Sequence, residues 1–211
     1  MLKGIECLGH STIKINKKGK IIYIDPINIK ENTNDADIIF ITHSHYDHYS
    51  ADDIRKIKNE DTTIIVTEDL YADVSKLGFY AINIITVKPN MEYQVENIKF
   101  TTIPAYNINK DFHKKEMNWV GYIIEINNVK YYIAGDTDMT EENRKVKCDV
   151  AFIPVGGKYT MDFSEAAKLV NEIKPRIVVP IHYGSIVGSL QDAIDFKKLL
   201  RPTIECKILI K

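Results

Sequence analysis

The chain has 211 residues, 45% of them hydrophobic and 27% charged, which is enough material for one well-packed domain of two similar layers. Its 28 basic and 29 acidic residues leave a net charge of -1, so no strong field is offered to a polyanion and nucleic acid is not favoured as a partner. No apolar run approaches the roughly 20 residues of a membrane span, the first residues carry no secretory pattern, and Cys7, Cys148 and Cys206 are too scattered for a disulfide framework or a CxxC zinc knuckle. Three small side chains buried in a reducing, cytoplasmic setting are expected.

The N-terminal part reads as short strands. Ile13 and Ile15 alternate with polar residues, Lys17 to Lys20 turn the chain, and Ile21 to Ile24 form a strand closed by Asp25-Pro26. Asp37 to Ile41 is a continuous apolar run, as in a buried strand. Ser50 is expected to cap a helix, with Asp53 completing a capping-type pattern and Ile54 and Ile57 facing inward. A strand over Thr63 to Thr67 is followed by a helix over Asp69 to Leu77 that Gly78 stops. Met91 to Val95, Ile98 to Ile103, Val120 to Ile126 and Val129 to Ala134 read as antiparallel strands, with Asn127-Asn128 as a tight hairpin turn. Then strand and helix alternate: Val150 to Pro154, a helix from Phe163 to Ile173 capped by Asp162 and Glu165, Ile177 to Ile181, a helix from Leu190 to Leu200, and a last strand from Ile204 to Ile210. Two strand-rich stretches, each followed by helices, suggest two sheets packed face to face with helices outside. No linker composition breaks the chain, so a single domain over 1–211 is expected.

The chemistry concentrates in Thr42-His43-Ser44-His45-Tyr46-Asp47-His48. Three histidines and an aspartate within six positions, just after a buried strand, form a donor set suited to borderline metals such as zinc. On an extended or tightly turning loop His43 and His45 can point to one side, while Asp47 and His48 reach a neighbouring position, which supports two adjacent cations.

This His-x-His-x-Asp-His motif resembles the metal-binding signature of the metallo-β-lactamase superfamily. Leu8-Gly9-His10-Ser11-Thr12 and Ile24-Asp25-Pro26 resemble the opening strands of the branch that contains ascorbate-6-phosphate lactonases and N-acylphosphatidylethanolamine phospholipases. Ala134-Gly135-Asp136-Thr137 resembles that branch's Gly-Asp-Thr motif, and Pro180-Ile181-His182-Tyr183-Gly184 its last metal-ligand histidine. The resemblance implies an α/β (by strand pairing α+β) four-layer αββα sandwich. By the same resemblance His43 and His45 hold a first metal, Asp47, His48 and His182 a second, and Asp136 bridges them.

One ligand of the first metal is open. The resemblance places a histidine near Ala105, where this chain has Tyr106 and Asn107. Either the loop carrying His113 folds back to supply it, or Asn107 or water completes a weaker site. His10 is either structural or, as its Gly-His-Ser-Thr context implies, close to the metals or substrate. Lys158, Tyr159 and Tyr183 either line the pocket or simply pack.

The expected activity is hydrolysis of a small ester, lactone, amide or phosphodiester. Two divalent ions about 3.5–4 Å apart would share a water and lower its pKa towards neutrality, with Asp47 and Asp136 as the catalytic carboxylates. Zinc is the expected metal, with manganese and iron compatible with the same donors. The alternatives are a nuclease or phosphodiesterase acting on nucleic acid and a non-catalytic metal-binding module. A small-molecule substrate and no membrane span are expected, and a homo-oligomer is compatible with the sequence.

Overall fold

The computed structural model describes residues 1–210. The chain divides into two compact units, Leu2–Lys88 and the remainder from Pro89 onward together with Met1.

The N-terminal unit is built on one six-stranded sheet in sequence order. Strands β1 (Ile5–Gly9), β2 (Thr12–Lys17) and β3 (Lys20–Ile24) form an antiparallel meander. The β2–β3 turn places Lys18 and Gly19 at φ 53° and 72°, the left-handed pair that a two-residue hairpin turn requires. Strands β4 (Ala36–Phe40), β5 (Lys58–Thr67) and β6 (Ile84–Val87) then add in parallel. Ile38, Ile39 and Phe40 of β4 are fully buried on both faces of the sheet, which explains their apolar run, while half-buried Asp37 accepts from the Ile21 N–H and from Lys20. Helix α1 (Ala51–Ile57) starts at Ser50, whose side chain accepts from the Asp53 backbone N–H. Its Ile54 and Ile57 pack with Ile39, Ile41, Ile64 and Val66 of the sheet, each full burial being worth about 1.5–3 kcal/mol. Asp53 does more than follow the cap: its carboxylate accepts from the N–H groups of Asn28 and Ile29 and from Lys56, pinning the β3–β4 connection to the helix.

The C-terminal unit holds a seven-stranded sheet in the order β13-β12-β11-β10-β9-β8-β7. Strands β7 (Glu92–Val95), β8 (Ile98–Pro104), β9 (Val120–Ile126) and β10 (Val129–Ile133) are antiparallel neighbours. Asn127 and Asn128 make the β9–β10 turn at φ 57° and 59°. Beyond β10 the pairing becomes parallel through β11 (Val150–Pro154), β12 (Ile177–Ile181) and β13 (Glu205–Cys206). Between them run α3 (Phe163–Ile173), with its Asp162/Glu165 capping box, and α4 (Leu190–Lys198). Ala166, Leu169 and Val170 of α3 and Phe196 of α4 pack with Ile153, Val155 and Val178 in one core.

Three local expectations need correction. The segment expected as a helix over Asp69 to Leu77 is a 3-10 turn (Glu68–Leu70) followed by the short helix α2 (Tyr71–Ser75). No side chain caps either start, so nothing offsets the cost of nucleating a longer helix. The last strand pairs over two residues only; Ile208 and Ile210 pack against the core by their side chains without a ladder. Strand β6 lies where the sequence reading places no element. Its four residues are too few for a period to stand out.

All three cysteines are free thiols. Burial pushes Cys7 and Cys148 up to about 12 and Cys206 up to about 11. No helix among the described residues is long and apolar enough to cross a membrane.

Candidate functional site

In the N-terminal unit strand β4 delivers the chain to the histidine loop. The Ile41 N–H still bonds to the Ile65 carbonyl of β5, so the rigid sheet ends one residue before the loop begins. The N–H groups of His48 and Tyr49 both bond to the His45 carbonyl at 2.9 Å, closing a turn that folds His48 back over His43. The rings of His43 and His48 lie 4.0 Å apart, centroid to centroid, and those of His43 and His45 lie 4.8 Å apart.

Asp25 sets the orientation of this loop. Its Oδ1 accepts from the Thr42 N–H at 2.8 Å, and its Oδ2 accepts from the Thr42 hydroxyl and from His48 Nδ1, each at 2.7 Å. A hydroxyl has one proton, and Thr42 gives it to Asp25; its contact of 2.9 Å with His43 Nδ1 must therefore be donated by the imidazole. A carboxylate likewise requires the proton on His48 Nδ1. Both rings are thus held as the Nδ1–H tautomer, and Nε2 is the nitrogen that carries the lone pair in each. A second carboxylate relation runs from His10, whose Nε2 lies 3.1 Å from Asp47 Oδ2. One ligand atom from each of His10, Asp47 and His48 lies within 4.8 Å of the others.

In the C-terminal unit the candidates come from far apart in sequence. Asp136 follows β10 and His182 follows β12, each at the C-terminal end of its strand, where α/β sheets place their ligand sites. Asp136 Oδ2 lies 3.0 Å from His182 Nε2 and 3.2 Å from His113 Nε2. Neighbouring ligands of a tetrahedral zinc stand about 3.3 Å apart, given Zn–N bonds of about 2.0–2.1 Å. His113 is buried, its ring edge-on to Trp119 at 5.7 Å and its Nδ1 on Asn107 Oδ1 at 3.0 Å.

Backbone strain marks the same places. His10, Asp25 and His182 all have positive φ, at 47°, 46° and 59°. For residues that carry a Cβ this region is disfavoured, and such residues gather at functional sites. Around His182 the packing is close enough that a Cβ on Gly156 would come within 2.2 Å of its carbonyl oxygen.

The other expected residues fall into two groups. Lys158 Nζ lies 5.1 Å over the Tyr159 ring, and Tyr159 meets Phe112 edge-on at 4.7 Å, on the loop that carries His113. Tyr183 is buried in the core and its hydroxyl donates to the Ile210 carbonyl at 2.7 Å. Sequence reasoning missed what Asp25 and Thr42 do. The signal available for Asp25 was an acid at the end of a buried strand, before a proline.

The donors suit a divalent cation. Each unit brings imidazole nitrogens and carboxylate oxygens together at ligand spacing, and the forced tautomers put the lone pair on the ring nitrogen away from the supporting group, the Thr42 hydroxyl for His43 and the Asp25 carboxylate for His48. Two sheets whose strand ends carry such donors make a metal-dependent protein.

The comparisons agree. A sequence profile of the beta-lactamase superfamily domain matches residues 4–182, and the chain belongs to that superfamily. It is 32% identical to a UPF0173 metal-dependent hydrolase of Thermococcus onnurineus, over 97% of this chain and 95% of the relative. It is 33% identical to another from Thermococcus kodakarensis, with the same coverage of each chain. In fold it is similar to Igni18, a metallo hydrolase from the archaeon Ignicoccus hospitalis, with a TM-score of 0.80 and 22% identity over 98% of this chain and 94% of that one.

Proposed function

We propose that the chain hydrolyses a small ester, lactone, amide or phosphodiester with the help of two divalent cations. On this reading His43, His45 and His113 would hold the first cation, Asp47, His48 and His182 would hold the second, and Asp136 would serve both. The observation that carries this reading is the Asp136 carboxylate oxygen flanked by two imidazole Nε2 atoms at 3.0 and 3.2 Å. Zinc suits the donor set best, and manganese or iron accepts the same ligands.

Bound, such a pair lowers the pKa of a water towards neutrality and offsets charge on the substrate oxygen. The chain supplies orientation. Asp25 fixes the His48 ring directly and the His43 ring through Thr42. His10 donates to Asp47 and steadies it, leaving the carboxylate to orient the attacking oxygen. Lys158 and Tyr159 face the substrate, the ammonium suiting a carboxylate or phosphate group. The near-neutral net charge of -1 favours a small molecule over a polynucleotide.

Elemental analysis of the purified protein, joined to a screen of p-nitrophenyl esters, lactones, amides and bis(p-nitrophenyl) phosphate, tests the proposal. Two equivalents of metal are expected, with turnover that chelation abolishes and zinc or manganese restores. Turnover that survives exhaustive chelation would sink it.

A further inference from the structure

Asn107 stands close to where the resemblance calls for a histidine, and the hydrogen bonds around it show a different use. Its Oδ1 accepts from the His113 backbone N–H at 3.0 Å, a group that can only donate. Its Nδ2 donates to the Tyr159 carbonyl at 2.9 Å and to Asp138 Oδ1 at 3.1 Å, the first of which can only accept. These partners allow one orientation of the amide. Oδ1 is therefore an acceptor at the point where it meets His113 Nδ1, 3.0 Å away, and the proton must sit on Nδ1. Nε2 then carries the lone pair towards Asp136.

The amide is itself held. Asp138 is buried, and its carboxylate also accepts from the Ile108 N–H at 2.9 Å and from Lys110 Nζ at 2.6 Å. Asn143 Nδ2 donates to the Asp138 carbonyl at 2.7 Å, tying the same residue to the turn after Asp136. The Asn107 N–H bonds to the His113 carbonyl at 2.7 Å, closing the loop between them.

We infer that Asn107 is a positioning residue, locked by Asp138 and Lys110, which fixes the tautomer and aim of His113 so that this loop histidine serves as a metal ligand in place of one at the strand end. The inference rests on the two-cation reading and adds how the first cation's third imidazole is preset. A relay of this kind costs little entropy when the cation arrives, because the ring is already ordered. The same amide holds the Tyr159 carbonyl, so the wall bearing Phe112 and Tyr159 is registered to the ligand it stands beside.

The test uses the full chain and Zn2+ alone. Nitrogen-15 NMR of the metal-free wild type should find His113 as the Nδ1–H tautomer; an Nε2–H tautomer overturns the inference without any variant. Titration with Zn2+ against a chromophoric chelator should then show Asn107→Ala and the volume-conserving Asn107→Leu each losing about 10- to 100-fold in affinity for one ion. The second ion should bind as in the wild type. In Co2+-loaded protein the visible spectrum of the weakened site should change. Folded variants that bind both ions as the wild type does, or lose both equally, overturn the positioning role alone. A wild type that takes up no Zn2+ overturns this inference and the two-cation reading together.

Discussion

In the N-terminal unit four candidate ligands sit within six consecutive residues, and their geometry is set by one turn and one carboxylate, Asp25. In the C-terminal unit three candidates come from positions 113, 136 and 182, and only the pairing of β10, β11 and β12 brings Asp136 and His182 together. The first set is a local structure, closed by backbone bonds across a few residues. The second is a product of the whole sheet and inherits its stability. Damage to the sheet should therefore reach Asp136 and His182 first, whereas the histidine loop should fail only when its own support is cut.

Substitutions can break that contrast or sharpen it. The largest effect belongs to Asp136→Ala, which removes the oxygen faced by both His113 and His182; kcat/KM on the best screened substrate should fall on the order of a thousandfold or more. A fall below tenfold, with both metals retained, would deny Asp136 its shared position. Next is Asp25→Ala, which frees the His43 and His48 rings. Metal affinity should drop about 10- to 100-fold while circular dichroism of the metal-free protein shows a folded chain. Gly156→Ala attacks the other half through packing. The added Cβ meets the His182 carbonyl, so denaturant titration should show a loss of about 1–3 kcal/mol; unchanged stability would mean that the strand end yields freely.

The smallest effect concerns acid. Burial works against the Asp53 carboxylate, but hydrogen bonds from Lys56, Ser50 and Asn28 outweigh it and hold its pKa below the usual carboxylate range. A depressed folded pKa gives stability that is present above the unfolded value and lost as pH falls through the folded one. Asp53→Asn should thus be less stable than the wild type at neutral pH, and the gap should narrow as pH drops below about 4. A gap that stays constant across that range would remove Asp53 from the acid response.

The same contrast explains what the sequence could say. His43, His45, Asp47 and His48 stand out because residue types crowd in a short window, and both the loop and the buried strand before it are legible as pattern. The helix over Phe163–Ile173 is legible for a similar reason, its cap and box lying within four residues of Asp162 to Glu165. Asp136 and His182 gain meaning only through resemblance, because nothing local distinguishes a ligand from a turn residue. The support that Asp25 gives His48 spans 23 positions and depends on the β3–β4 pairing. Asn107 was legible as an oddity beside His113, but which of the two faces Asp136 is decided by amide partners that only the folded loop supplies.

The three thiols have a practical consequence. With values of about 11 to 12, no more than about one thiol in a thousand is ionised at pH 8, and the thiolate is the reactive form. Maleimide labelling should therefore be slower at the native cysteines than at an exposed thiol. One cysteine introduced on an exposed loop would then take a fluorophore or spin label preferentially, without first stripping the chain of its own sulfur.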